Sequence, residues 1–197
     1  MLQTLNYHTS YVNKIIELKN QYLVSCSSDQ SIIFYLKDNF EYKKDYQIST
    51  NNNVCNHIIQ TKENEICFNE NSDNLFDEYT RICFFDLNER KNKTSINDIS
   101  VYNFIMITNE LLLIPGNNKV SIINVNQYKL VRVVDILNSG CIHGVCMLNN
   151  NMLLTGDNKK VIRQWRIEGD NIILMNMKEN VHDNGVLVLL NKGDKHI

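Results

Sequence analysis

The chain repeats itself. Asn20 opens NQYLVSCSSDQSIIFYL, Asn64 opens NEICFNENSDNLFDEYTRICFFDL, Asn109 opens NELLLIPGNNKVSIINV and Asn150 opens NNMLLTGDNKKVIRQWRI. Each copy is a short apolar run, a polar turn, and a second apolar run ending in a large apolar or aromatic residue. Those ends are Tyr35, Phe85, Ile123 and Trp165, spaced by 50, 38 and 42 residues. The long interval reflects an enlarged turn at residues 70–79 of the second copy. Self-similarity at a period of roughly 40–45 residues marks a repeat architecture and constrains the fold more than any single motif does.

The repeating unit is made of strands. Ile, Val, Tyr and Phe dominate short runs bounded by Asn, Asp, Ser and Gly, and no window of helical length carries a clean 3.6-residue period. A further apolar run precedes each copy, at residues 12–18, 54–59, 101–107 and 142–148. A more polar one follows, at residues 40–48, 93–99, 128–136 and 172–177. That predicts four strands per repeat, the last and most polar being the outer edge. With no plausible linker, residues 1–197 read as one continuous array. Its units fall at about residues 9–48, 53–99, 100–137 and 141–178, and residues 182–197 begin a fifth.

The start of the chain, Thr4-Leu5-Asn6-Tyr7-His8-Thr9-Ser10-Tyr11-Val12, is similar to the T-L-x-G-H-T-x-x-V of WD40-repeat propellers, with Tyr7 where Gly is usual. It continues through Ile15, Leu18, VSCSSD at 24–29 and IIFYL at 32–36. LLTGDNKKVIRQWRI at 153–167 places Trp165 at the family's Trp, Phe85-Asp86 stands in for Trp-Asp, and Ile123-Asn124 is a weak version. His182, Val186 and Leu189 reproduce the spacing of His8, Val12 and Ile15, with His182 lying 174 residues, or four periods of 43.5, after His8. Ile197 falls where Leu23 falls in the first repeat.

The resemblance implies an all-β fold: a β-propeller of WD40 type with about four four-stranded antiparallel blades and the start of a fifth, forming an open or partial ring. Closed rings in this family mostly have seven blades, so we expect a piece of a longer propeller or a truncated product. Its donor-like N-terminal strand, residues 2–5, then has no finished blade to join, and open ends would favour self-association.

In the family a His, a Ser or Thr, an Asp and the Trp form a hydrogen-bonded network inside a blade. Here the first repeat offers His8, Ser25 or Ser27, Asp29 and Tyr35. The fourth has Trp165 but Asn138 at the place of the His. No repeat holds the full set, so we expect the network to be mostly absent and apolar packing to hold the blades. His8, Asp29, Tyr35, Phe85, Asp86, Ile123, Trp165 and His182 are expected to be structural positions. The function implied is a non-catalytic scaffold that binds partner proteins or peptides through its loop face. Register places Tyr11, Asn13, Ser28, Tyr102, Asn117, His143 and Asn158 on that face.

Composition narrows the alternatives. A hydrophobic content of 43%, a charged content of 21% and a net charge of −2 give no global drive toward nucleic acid or anionic membrane. The excess of Asn, Ile and Lys reads as codon bias rather than function. No run approaches the ~18–20 apolar residues that span a bilayer. The N-terminal MLQTLNYHTS lacks the basic and apolar regions of a signal peptide. The six cysteines, scattered through strand-like segments, read as reduced core residues of an intracellular, cytoplasmic or nuclear protein.

Cys141-x-His143-x-x-Cys146 lacks the spacing and the second ligand pair of a zinc site. Pairing Cys146 with His143 or His182 as a nucleophile rests on residue type alone. Asp73, Asp77 and Glu78 read as a solvated acidic loop. Arg90, Lys91 and Lys93, and Lys159, Lys160, Arg163 and Arg166, read as solvated turns and outer faces. No G-x-S-x-G or phosphate loop occurs. We therefore expect no enzyme, cofactor or metal. A propeller-based enzyme and a phosphate- or RNA-binding propeller are the alternatives.

Overall fold

The computed structural model describes residues 3–51, 53–72, 80–97, 99, 101 and 103–185. Among them there is no helix, hence no helix long and apolar enough to cross a membrane. Strands form four antiparallel sheets in chain order. Sheet I contains β1 (Val12–Glu17), β2 (Leu23–Ser27), β3 (Ser31–Asp38) and β4 (Glu41–Ser49). Sheet II contains β5 (Asn53–Val54), β6 (Ile58–Lys62), β7 (Glu65–Ser72), β8 (Thr80–Asp86) and β9 (Lys91–Asn97). Sheet III contains β10 (Ile105–Met106), β11 (Leu111–Pro115), β12 (Lys119–Asn124) and β13 (Lys129–Asp135). Sheet IV contains β14 (Ile142–Asn149), β15 (Met152–Asp157), β16 (Ile162–Glu168) and β17 (Asn171–Lys178). Each strand pairs with its chain neighbour, the up-and-down meander that a propeller blade uses. In sheet II the inner strand is broken, and β5 and β6 both pair with β7.

One irregularity recurs in all four sheets. The register between third and fourth strands slips at Phe34/Tyr35, Phe84/Phe85, Ile122/Ile123 and Gln164/Trp165. The second member of each pair is the landmark residue of the repeat. A bulge there bends and twists the outer strand, and its recurrence shows that the copies share geometry as well as sequence. The turn that follows has a left-handed residue each time: Asn39, Arg90, Tyr128 and Gly169. Asp86 Oδ1 accepts the Asn88 and Glu89 amides at 2.9 Å, and Asn124 Oδ1 accepts those of Asn126 and Gln127 at 2.9 and 3.0 Å. These residues after Phe85 and Ile123 therefore act as turn caps.

Asparagine has a structural role that codon bias does not describe. Five of the ten described non-glycine residues with positive φ are Asn39, Asn51, Asn118, Asn138 and Asn180. Asn tolerates this region better than most side chains, so it closes turns where Gly is scarce. The enlarged turn of the second copy also starts later than the sequence suggests. Glu70, Asn71 and Ser72 belong to β7, and Glu70 is buried against Arg81. Asp73, Asp77 and Glu78 lie outside the described residues.

The chain divides into two compact units, one holding sheets I and II and the other sheets III and IV. In the first unit, Val24, Cys26, Ile32 and Phe34 of sheet I pack with Ile58, Ile66, Phe68, Cys83 and Phe85 of sheet II. The Phe34 ring stacks on Tyr46 at 4.2 Å and meets Phe85 at 6.0 Å. In the second unit, Leu113, Val120 and Ile122 of sheet III pack with Val145, Leu153, Trp165 and Ile167 of sheet IV. Each such side chain contributes about 1.5–3 kcal/mol on burial, so these two face-to-face cores dominate the stability of their units. The outer strands β4 and β9 are mostly exposed and charged, as unpaired edges are in natural sheets.

His57 and Cys83 are two of the buried groups that make the stability of the first unit depend on pH. Burial, assisted by the Lys14 ammonium, holds the His57 imidazole down at about 4 against its ordinary 6.5. Burial and the Glu70 carboxylate push the Cys83 thiol up to about 12 against 9.0. The unfolded chain binds the histidine proton first on acidification, so stability falls as pH drops from 6.5 toward 4. It loses the thiol proton first on alkalinisation, so stability falls as pH rises from 9 toward 12. Urea midpoints across pH should peak between those limits. His57→Gln should flatten the acid limb and leave the alkaline limb unchanged, whereas an unaltered acid limb would contradict this assignment.

Candidate loop-face interface

The beginning of sheet I rests on a chain of polar side chains. Ser25 projects from β2 and Tyr35 from β3, while His8 and Asp29 come from the segments before β1 and between β2 and β3. His8 Nε2 lies 2.6 Å from Ser25 Oγ, and His8 Nδ1 lies 2.8 Å from Asp29 Oδ2. The Tyr35 hydroxyl is 3.2 Å from Ser25 Oγ. One proton arrangement satisfies every group: Tyr35 donates to Ser25, Ser25 to His8 Nε2, and His8 Nδ1–H to Asp29. Asp29 also accepts the Thr9 amide at 2.9 Å and the Ser31 hydroxyl at 2.6 Å. Burial alone would raise its carboxyl, but the bonds from Ser31, Thr9 and His8 outweigh burial and hold it below the usual range.

This chain is complete where sequence reasoning expected it to be mostly absent. The physical reason is the reach of Tyr35: its O–H meets the hydroxyl of Ser25, at the register position that Thr155 holds in sheet IV. Sheet IV shows the indole version, with Trp165 Nε1 donating to Thr155 Oγ1 at 2.9 Å. There Asp157 turns to the Arg163 Nη1 at 2.5 Å and to the amides of Lys159 and Val161. Arg163 is thus a buried ion-pair partner, not the solvated residue the sequence suggested. Arg90 is an exposed turn residue, as the sequence suggested, that lies over the Tyr46 ring at 4.1 Å and pairs with Asp45. Lys93 pairs with Glu65 and Asp86.

Ser25, His8 and Asp29 have the connectivity of a hydrolytic triad, but Ser25 is only 3% exposed and its hydroxyl is engaged on both sides. A nucleophilic serine needs a free face toward its substrate, which this burial and bonding do not give Ser25.

The residues placed on the loop face fall into two groups, one per unit. Tyr11 is 82% exposed, and its carbonyl accepts the Ser28 amide at 2.9 Å. Asn13 Nδ2 lies 3.0 Å from Ser28 Oγ, 2.9 Å from the Cys55 carbonyl and 3.1 Å from Asn56 Oδ1. Tyr11, Asn13 and Ser28 therefore form one patch, in which Asn13 also ties sheet I to sheet II. In the second unit Asn117 pairs with Cys141 as an isolated bridge, and Asn158 binds Cys141 through both its amide and its Oδ1, at 3.0 and 3.1 Å. Asn118 Oδ1 accepts the Gly140 amide at 2.7 Å. Gly140 has φ +69°, and a Cβ there would meet Asn158 Oδ1 at 2.4 Å, so glycine is required at this crossing.

His143 is half-buried on β14, its carbonyl takes Asn103 Nδ2 at 3.1 Å, and burial lowers its imidazole. Tyr102 lies outside the described residues. His182, the counterpart of His8 by spacing, is exposed, and Val186, Leu189 and Ile197 lie outside the described residues. The sequence reading missed Asn56, Asn103 and Asn118, whose only signal was an Asn beside each turn.

Among the described residues no group of three or more His, Cys, Asp or Glu is arranged to hold a metal ion. Cys146 is buried and its thiol is raised by that burial. No protein-family model matches the chain, and no curated protein matches it in sequence.

The hub of the polar chain is Ser25. Ser25→Ala strands His8 and Tyr35 together and should cost about 1–3 kcal/mol in urea unfolding, while Tyr35→Phe removes only a terminal donor and should cost about 0.5–1.5 kcal/mol. Equal, negligible effects of both would show that the chain carries no stability.

Proposed function

We propose that the chain is a WD40-type propeller segment serving as a non-catalytic scaffold that binds peptides or partner proteins through the loops at one end of its sheets. The observation that carries this reading is Tyr11. It is an aromatic side chain 82% exposed, on a backbone held by Ser28 and beside a fully engaged Asn13. Exposed aromatics on rigid supports are the usual anchors of protein recognition, because little conformational freedom is lost on binding. The shared bulge at Tyr35, Phe85, Ile123 and Trp165 and the His8–Ser25–Asp29–Tyr35 chain support the WD40 type. Six free thiols accord with a reducing, intracellular setting. Burial keeps Cys55, Cys67, Cys83 and Cys146 above the ordinary thiol range, which disfavours a thiolate nucleophile.

Selection of displayed peptides against the whole chain tests the reading. Tyr11→Ala should weaken the selected peptides by at least about tenfold, as loss of an aromatic hot spot does, with unfolding unchanged. Alanine at Tyr11, Asn13, Ser28, Tyr102, Asn117, His143 and Asn158 with no change in any affinity would overturn the face assignment. Tight single-stranded RNA binding that falls steeply with salt would favour the nucleic-acid reading instead.

A further inference from the structure

The second unit holds a cleft of about 690 Å³ between the end of β13 and the facing side of sheet IV. Trp165, Ile172, Leu174 and Met177 line its apolar part. Asp135, Asn138, Lys159, Glu179 and Asn180 stand around its polar part with Arg163, which is only 5% exposed. The guanidinium carries five N–H donors in a planar fork, and its one hydrogen bond runs from Nη1 to Asp157 at 2.5 Å. The remaining donors are not among the buried polar atoms lacking a partner, so they reach the open space of the cleft.

The β17 edge beside the cleft is unusual for this chain. β4 carries Glu41, Lys43, Lys44 and Asp45, β9 carries Lys91 and Lys93, and β13 carries Lys129, Arg132 and Asp135, charges that discourage an added strand. β17 has Lys178 as its one charge and exposes Leu174, Met175 and Met177, while Leu137 just beyond β13 is 88% exposed. β17 is paired on one side only, by β16. Among the described residues no strand pairs with its other edge, which can take an extended chain, and methionines give such a surface an adaptable apolar face.

We propose that this cleft binds an extended peptide segment carrying a large apolar side chain next to a carboxylate. The apolar side chain seats against Trp165, Leu174 and Met177, and the carboxylate takes the unspent donors of Arg163. A planar fork of N–H groups matches a carboxylate better than any other common side chain. Asp157 neutralises the buried guanidinium, and Lys159 stands against both Asp135 and Glu179 in the lining, so the wider charge does not draw the carboxylate in. Recognition then rests on hydrogen-bond geometry, with only a modest dependence on salt. The open edge of β17 favours a peptide over a small acid. The cleft belongs to the second unit and Tyr11 to the first, and they share no residue.

Trp165 is the chain's sole tryptophan and sits in the cleft, so its fluorescence reports occupancy. The test is titration of the full chain with octapeptides of alternating large apolar residues bearing one Glu, and with their Gln counterparts. The Glu peptides should shift Trp165 emission, and Gln replacement should weaken binding at least about tenfold. Leu174→Asp and Met177→Asp, both on the exposed rim, should abolish the shift, and Arg163→Lys, which keeps charge but loses the fork, should weaken it comparably. Tyr11→Ala should leave it unchanged, which separates this site from the loop-face reading. No shift up to about 1 mM peptide, a value at which binding has lost practical affinity, would overturn the proposal. So would equal binding of Gln peptides, or binding unaffected by both rim substitutions. An equal response to 3-phenylpropionate alone would overturn the peptide assignment in favour of a small carboxylate.

Discussion

A four-stranded antiparallel meander has two faces, and β3 of sheet I carries apolar residues on both, Ile32 and Phe34 on one and Ile33 and Tyr35 on the other. A single meander leaves one such face in water. The structure therefore depends on burial of one sheet's face against the next, Phe34 with Phe85 in the first unit and Ile122 with Trp165 in the second. The middle strands are mostly buried, whereas the outer strands, which meet a neighbour on one edge only, are free to be polar. The recurrent bulge gives the outer strand the twist needed to keep that packing aligned from copy to copy.

Polar chemistry then fixes what apolar packing leaves loose. Non-directional burial does not hold the segment before β1 in one place, but His8, clasped between Ser25 and Asp29, does. Asn13 in the first unit and Gly140 with Asn118 and Asn158 in the second do the same at the sheet crossings. Ties of this kind convert loops into surfaces of defined shape.

Much of this was legible in the residues. Tyr35, Phe85, Ile123 and Trp165 announced the period, and the same four residues sit at the bulges. The polar runs after them became the outer strands. What was hidden depended on reach rather than type. Nothing in the order of residues says that a tyrosine O–H meets Ser25, or that Arg163 turns inward to Asp157. A basic residue in a strand-like run looks solvated until its carboxylate partner, six positions away, is brought alongside it. The break between β5 and β6 was also invisible, because Val54 and Ile58 look like parts of one apolar run. Asn13 looked like a contact residue, and its bonds to Cys55 and Asn56 appear only when sheet II is folded against sheet I.

The central claim is that successive meanders, each with a buried middle pair of strands, make up this chain. Amide hydrogen exchange read residue by residue tests it most directly, because protection follows burial and strand pairing. Slow exchange is expected in four doublets, β2–β3, β7–β8, β11–β12 and β15–β16, separated by faster exchange in the exposed parts of β4, β9, β13 and β17. Protection spread evenly along the chain, or confined to one doublet, would contradict it.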